Sequence, residues 1–155
     1  MAASDATQAE RSGRPAYGVG DASYRAAGRR EGIAKLVDAF YDTMDRLPEA
    51  RRIRRMHPAD LSVSRDKLTR FLCGWMNGPK LYNEKYGPIR IPSAHAHLPV
   101  GPEERDAWLL CMERAIAEQH YAADFAAYLL RELRVPADRI VEVSRDPKPR
   151  DGARD

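Results

Sequence analysis

The sequence predicts an all-α protein. Apolar residues recur at spacings of three and four in four separate stretches, the mark of a helix face. Prolines and glycines punctuate the intervals between those stretches. No segment alternates over six or more residues, and Arg139–Val143, which does alternate, is too short to build a sheet.

The elements run in order along the chain. From Glu31, Ile33, Leu36, Val37, Phe40, Tyr41 and Met44 share one helix face. Pro48 ends that helix and suits the first turn of a short second one, Glu49 to about Met56. His57-Pro58 closes it, since the residue before a proline is pushed out of helical geometry. Ser62 or Ser64 caps the next helix, whose face carries Leu68, Phe71, Leu72, Trp75 and Met76. Asn77-Gly78-Pro79 stops it, and a short turn from Lys80 to Tyr86 comes next. Residues 87–101, with Gly87, Pro88, Pro92, Pro99 and Gly101, read mostly as loop. Pro102 opens a long helix with Glu103 and Glu104 in its first turn, where the helix dipole favours acid. Trp108, Leu109, Met112, Ala115 and Ile116 form its face, and a bend is expected at Glu118–Tyr121. The last helix, about Ala123 to Leu133, shows Phe125, Tyr128, Leu129 and Leu133, and Pro136 limits it. Residues 1–15 and 144–155 read as flexible tails around one domain, 16–143.

Composition narrows the function. The chain has 155 residues, enough for one domain with a real core. Its mean hydropathy is −0.61, and no apolar run reaches the ~18 residues that span a bilayer, so no membrane role is expected. The N-terminus lacks the apolar core of a signal peptide. Cys73 and Cys111 are the only cysteines, which excludes a disulfide scaffold or Cys-rich zinc module and suits a reducing cytoplasm. Phosphate-loop, dinucleotide-binding, Cys-x-x-Cys and His-Glu-x-x-His motifs are absent. Residues 46–70 hold eight basic residues against three acidic ones, a local +5 in a chain of net charge +3. Such a run invites a nucleic-acid reading, but it is usually a solvated face, so no nucleic-acid partner is expected.

The chemistry-bearing residues cluster differently. Phe40, Tyr41, Leu68, Phe71, Trp75 and Trp108 lie on the inward faces of three helices. The loop between the second and third of these holds His95 and His97. Large apolar faces around a loop histidine suit a flat apolar cofactor with a ligated metal, and haem is the obvious candidate. The same residues would equally serve as an ordinary helical core, with the chain a haem-free interaction module.

A family resemblance separates these readings. LVDAFYDTM (36–44), MHPADL (56–61), KLTRFLCGWMNGP (67–79), KLYNEKYG (80–87) and HAHLPVGPEERDAWLLCM (95–112) resemble, in order, the group II truncated haemoglobins. The resemblance covers roughly residues 24–133. It implies a two-over-two helical sandwich around haem b (iron protoporphyrin IX). The family's proximal histidine lies nine residues before the glutamate of Glu-Arg-Asp, which is His95 here, with Gly101 matching the loop glycine. Tyr41 matches the distal tyrosine and Trp108 the distal tryptophan, both hydrogen-bond donors. His57 matches the distal corner residue, where its charge state would make its contacts pH-dependent.

The resemblance also places Ser64 where other globins carry a distal histidine, with Phe40 beside the pocket and Leu68, Phe71 and Leu72 over the haem. Leu98 and Val100 fall on the proximal side, and His97 near a haem edge. Family members often carry arginines just before the proximal histidine, where this chain has Pro92, Ser93 and Ala94. Propionate anchoring therefore falls to Arg90, Lys67, Tyr82 or Tyr86. The implied ligands are O2, NO, CO or peroxide. Three distal donors predict slow release, which favours redox or detoxifying chemistry, peroxidase-like or nitric oxide dioxygenase-like, over bulk oxygen transport. An acidic redox partner for the 46–70 segment, and a monomer or homodimer, complete the expectation.

Overall fold

The computed structural model describes residues 16–88 and 100–145, with side chains as far as Glu142. The expected tails, and Arg90, His95, His97 and Leu98, lie outside the described residues or their described side chains. The helices are α1 (Ala22–Ala26), α2 (Arg29–Arg46), α3 (Arg51–Arg55), α4 (Ser62–Trp75), α5 (Leu81–Tyr86), α6 (Pro102–Ala117) and α7 (Ala123–Arg145). A 3₁₀ turn, Pro48–Ala50, joins α2 to α3. No strand occurs among the described residues.

Helix α2 is the centre of the molecule and packs against both α4 and α6. Its predicted face is its buried face: Ile33, Leu36, Val37, Phe40, Tyr41 and Met44 are all buried. Burial of each such large side chain contributes roughly 1.5–3 kcal/mol. α2 starts at Gly28, whose φ of 94° is left-handed and suits glycine. One turn on, a Cβ at Gly32 would overlap the Ala27 carbonyl oxygen, so the close approach of α1 to α2 needs glycine there.

The α4 cap differs from the expectation. Neither Ser62 nor Ser64 caps it; Asp60 Oδ1 accepts from the Ser62 N–H (2.9 Å) and from the Ser62 hydroxyl (2.6 Å). Ser62 is already the first helical residue, so its hydroxyl is held by the preceding carboxylate. The far end behaves as predicted. Asn77 takes a φ of 68°, and the Gly78 N–H bonds the Cys73 carbonyl at 2.8 Å, the closing bond of a Schellman turn.

α6 ends at Ala117 and α7 begins at Ala123, which places the predicted bend. Pro136 does not end α7, which runs on to Arg145. Proline removes one N–H and crowds the carbonyl four residues back, a cost of ~3 kcal/mol. Here Phe125, Leu129, Leu133, Ala137 and Val141, four residues apart, are all buried. Continuous burial across the proline offsets the lost bond. α6 packs on α7 and α4 on α5, so α2 with α4 forms one layer and α6 with α7 the other.

Candidate functional site

Three segments distant in sequence meet in one aromatic cluster. α2 supplies Phe40, fully buried, and Tyr41, 5% exposed. α6 supplies Trp108, whose ring centroid lies 5.3 Å from that of Phe40. The corner after α3 supplies His57, 5.7 Å from Tyr41 in an edge-on arrangement. Phe40 and Tyr41 themselves pack edge to face at 4.9 Å. Such tilted pairs are the favoured aromatic geometry.

The polar ends of this cluster are unusual. The Tyr41 hydroxyl has no hydrogen-bond partner among the described residues, although the residue is buried. The indole N–H of the half-buried Trp108 likewise has no acceptor among them. Donors withdrawn from water are nearly always paired, which singles out the buried Tyr41 hydroxyl. Burial pushes the Tyr41 pKa up to about 12, against the opposing effect of nearby Arg65. Tyr41 therefore stays a phenol and a donor throughout the physiological range. His57 Nδ1 lies 2.9 Å from the Ile53 carbonyl oxygen, an acceptor, so Nδ1 carries the proton and the ring is oriented by α3.

Sequence reasoning missed Arg65. Its guanidinium lies 5.7 Å from the Tyr41 ring centroid and is held by Asp38 (3.1 Å) and Asp42 (3.0 Å) of α2. The available signal was the pair of acids one helical turn apart on the outer face of α2. It also missed the buried Glu104, whose carboxylate accepts from the Gly101 N–H (2.7 Å) and pairs with Arg52 (3.1 Å). That link ties α3, which leads to His57, to the start of α6, which carries Trp108.

α4 forms a second wall. Leu72 is buried, while Leu68, Phe71 and Trp75 are only partly covered by protein, and Ser64 is half-buried. Val100 is half-buried where the chain enters α6. Beyond this wall the propionate candidates sit around Asp66. Tyr86 donates its hydroxyl to Asp66 (2.6 Å), and Lys85 and Arg70 each contact the same carboxylate at 3.0 Å. These bonds hold the Asp66 carboxyl well below the usual range, with Tyr86 the largest contributor. Tyr82 stacks at 5.0 Å on Tyr86, and Lys67 lies 5.2 Å from the Tyr86 ring centroid. The Tyr86 proton is thus already engaged. Cys73 and Cys111 are free and buried, and burial pushes Cys111 up to about 11, so both behave as small apolar residues.

Residues 22–137 match the bacterial-like globin family. The group 2 truncated hemoglobin YjbI of Bacillus subtilis is 31% identical over 121 residues, covering 78% of this chain and 89% of that protein. The chain belongs to the group II truncated haemoglobins. Among solved structures, the group II 2-on-2 hemoglobin of Agrobacterium tumefaciens is 39% identical, with a TM-score of 0.72 over 76% of this chain and 92% of that one. A truncated oxygen-avid haemoglobin from Bacillus subtilis is 30% identical, with a TM-score of 0.70 over 77% of this chain and 98% of that one. The two helix layers are accordingly those of a truncated globin. As a group II truncated haemoglobin, the chain has the haem-based binding of small gaseous ligands that marks globins.

Proposed function

We propose that this truncated haemoglobin holds haem b through His95 and binds O2, with NO, CO or peroxide as related ligands, beneath Tyr41, Trp108 and His57. The observation that carries this reading is the buried Tyr41 hydroxyl, without a partner among the described residues, packed on the same Phe40 ring as the Trp108 indole. The residues fit the group: Leu68, Phe71 and Trp75 of α4 form a partly uncovered apolar wall on the core that also holds Tyr41, a donor with no partner among the described residues. When bound, the haem iron supplies the ligand-binding centre.

The chain's own residues set the strength and lifetime of binding. Tyr41 and Trp108 donate to a ligand that carries partial negative charge, and charge-assisted bonds are about twice as strong as neutral ones. His57, with its proton on Nδ1 held by α3, presents the other ring nitrogen at the corner. Phe40 keeps Tyr41 and Trp108 in register, and Ser64 leaves the pocket side unblocked. Leu68, Phe71, Leu72, Leu98 and Val100 would exclude water from the haem faces. Lys67, Tyr82 and Arg90 would anchor the propionates, and His97 would serve at a haem edge. Tyr86, its hydroxyl held by Asp66, would orient Tyr82 and Lys67 through its ring. Strong donation slows ligand release, which suits redox or detoxifying chemistry better than transport; the oxygen avidity stated for the Bacillus subtilis relative accords with this.

Such chemistry needs electrons. In the basic segment Arg52, Arg54, Arg65 and Arg70 are paired with acids of the same chain. Arg46, Arg51 and Arg55 have no ion pair among the described residues and line one surface cleft. They favour an acidic redox partner there.

Absorption spectra of the purified protein test the whole reading. A Soret band that is lost in His95→Ala is the expected result. A colourless protein that also fails to take up added haemin would overturn it in favour of a haem-free helical module.

A further inference from the structure

The face of the α6–α7 pair turned away from α2 carries an open groove of roughly 590 Å3. Its floor is apolar, formed by the half-buried Leu109, Leu110 and Leu130. Its two walls differ in sign. α6 contributes Asp106 and Glu113, and α7 contributes Arg131 and Arg134. Part of this charge is neutralised within the chain, since Asp106 pairs with Arg105 (3.1 Å) and Arg134 lies 3.7 Å from Asp138. Glu113 has no ion pair among the described residues. Arg131 has none either, and its guanidinium lies 5.6 Å from the Tyr128 ring centroid.

We propose that this groove is the interface of a homodimer, occupied by the same groove of a second copy of this chain. A closed two-fold interface must be self-complementary, with one patch meeting itself. A partner of single charge sign would be attracted by one wall and repelled by the other. A second copy carries both signs in reciprocal order.

The charge pattern also selects the symmetry axis. Arg105 near the start of α6 reaches Asp138 far along α7 at 3.1 Å, so the two helices run antiparallel. A two-fold axis along the groove lays α6 of one copy over α7 of the other. Acids then face bases at both edges, and the leucine floors meet between them. An axis across the groove would stack α6 on α6 and set acid against acid. The first arrangement gives Glu113 and Arg131 the counter-charges that no described residue of their own chain supplies.

Sedimentation velocity on the full chain, over a range of protein and salt concentrations, tests this. The expected result is a dimer that loosens as salt rises. Glu113→Arg and Arg131→Glu should each weaken dimerisation about tenfold or more, because like charges then meet across the groove. The double variant Glu113→Arg/Arg131→Glu should recover most of that loss. Both positions are exposed, so these variants should keep the parent far-UV circular dichroism. A wild-type chain that stays monomeric at every concentration would overturn the proposal. So would a dimer indifferent to both single substitutions, or a double variant as weak as the singles.

Discussion

Two polar clusters flank the same apolar wall, and they are built on opposite principles. Around Asp66, every hydrogen-bond donor has its acceptor: Tyr86, Lys85 and Arg70 converge on one carboxylate. Around Tyr41, the ring is packed by Phe40 and His57 and covered by Arg65, yet its hydroxyl has no partner among the described residues. A satisfied network holds a fold together. Donors left unsatisfied in an apolar setting weaken the fold and are retained where something else comes to accept from them. The contrast fits a structural role for the first cluster and the binding role proposed for the second.

Five substitutions would break or sharpen that contrast. The largest effect should come from Phe40→Ala. Phe40 is fully buried between Tyr41 and Trp108, and its loss should cost about 3–5 kcal/mol of stability, read by thermal or urea unfolding. Next comes Tyr41→Phe, where the two clusters should separate most clearly. Removing an unpaired buried hydroxyl should leave stability nearly unchanged at neutral pH. Loss of a donor to a partly charged ligand, worth ~1.5–3 kcal/mol, should speed O2 release about tenfold to a hundredfold in stopped-flow measurements. Unchanged release in both Tyr41→Phe and Trp108→Phe would remove the distal assignment.

The same variant carries a signature in alkali. Tyr41 has its pKa raised to about 12 in the folded protein, from the ordinary value of 10.0. The folded state therefore holds this proton more tightly than the unfolded chain does. The resulting stability is fully present below pH 10.0 and is lost as pH rises toward 12. Tyr41→Phe should shrink that alkaline decline. Tyr121, raised to about 12 by burial, should keep part of it.

Asp66→Asn should show the converse behaviour, with stability reduced by about 1 kcal/mol and ligand release little affected, since the carboxylate is partly exposed. Its folded pKa is depressed, so its contribution is present above the ordinary value of 3.8 and disappears as pH falls below it. The acid limb of the stability profile should therefore flatten in the Asn variant. The smallest effect is expected for Arg52→Ala. Arg52 is largely exposed, and breaking its pair with Glu104 should cost less than about 1 kcal/mol while the Gly101–Glu104 bond holds the α6 start.

Local sequence made the helices and their order legible. The buried faces of α2 and α6 were readable from spacing alone, because a helix repeats every 3.6 residues whatever it packs against. Helix ends were readable where the terminator is steric, as at Asn77-Gly78. They were misread where tertiary burial overrides a local rule. Pro136 is a helix breaker by its own chemistry, yet Ala137 and Val141 beyond it are buried on the face that begins at Phe125. The α4 cap was misassigned because Ser62 is already the first helical residue and donates both its N–H and its hydroxyl to Asp60.

The side chains of the site divide in the same way. Tyr41, Trp108 and His57 were named from the order of motifs along the chain, and folding brings their rings together. What the sequence could not state is which donors are already engaged. Tyr86, a propionate candidate by sequence, already donates its hydroxyl to Asp66, twenty positions away. Arg65 had no assigned role until Asp38 and Asp42 held it over the Tyr41 ring. By itself, then, the sequence determined the helical class and the family, because periodicity and motif order are local or linear properties. Only the tertiary structure decided that the Tyr41 hydroxyl has no partner among the described residues while that of Tyr86 bonds Asp66, because hydrogen bonding depends on distances between residues that the linear chain leaves far apart.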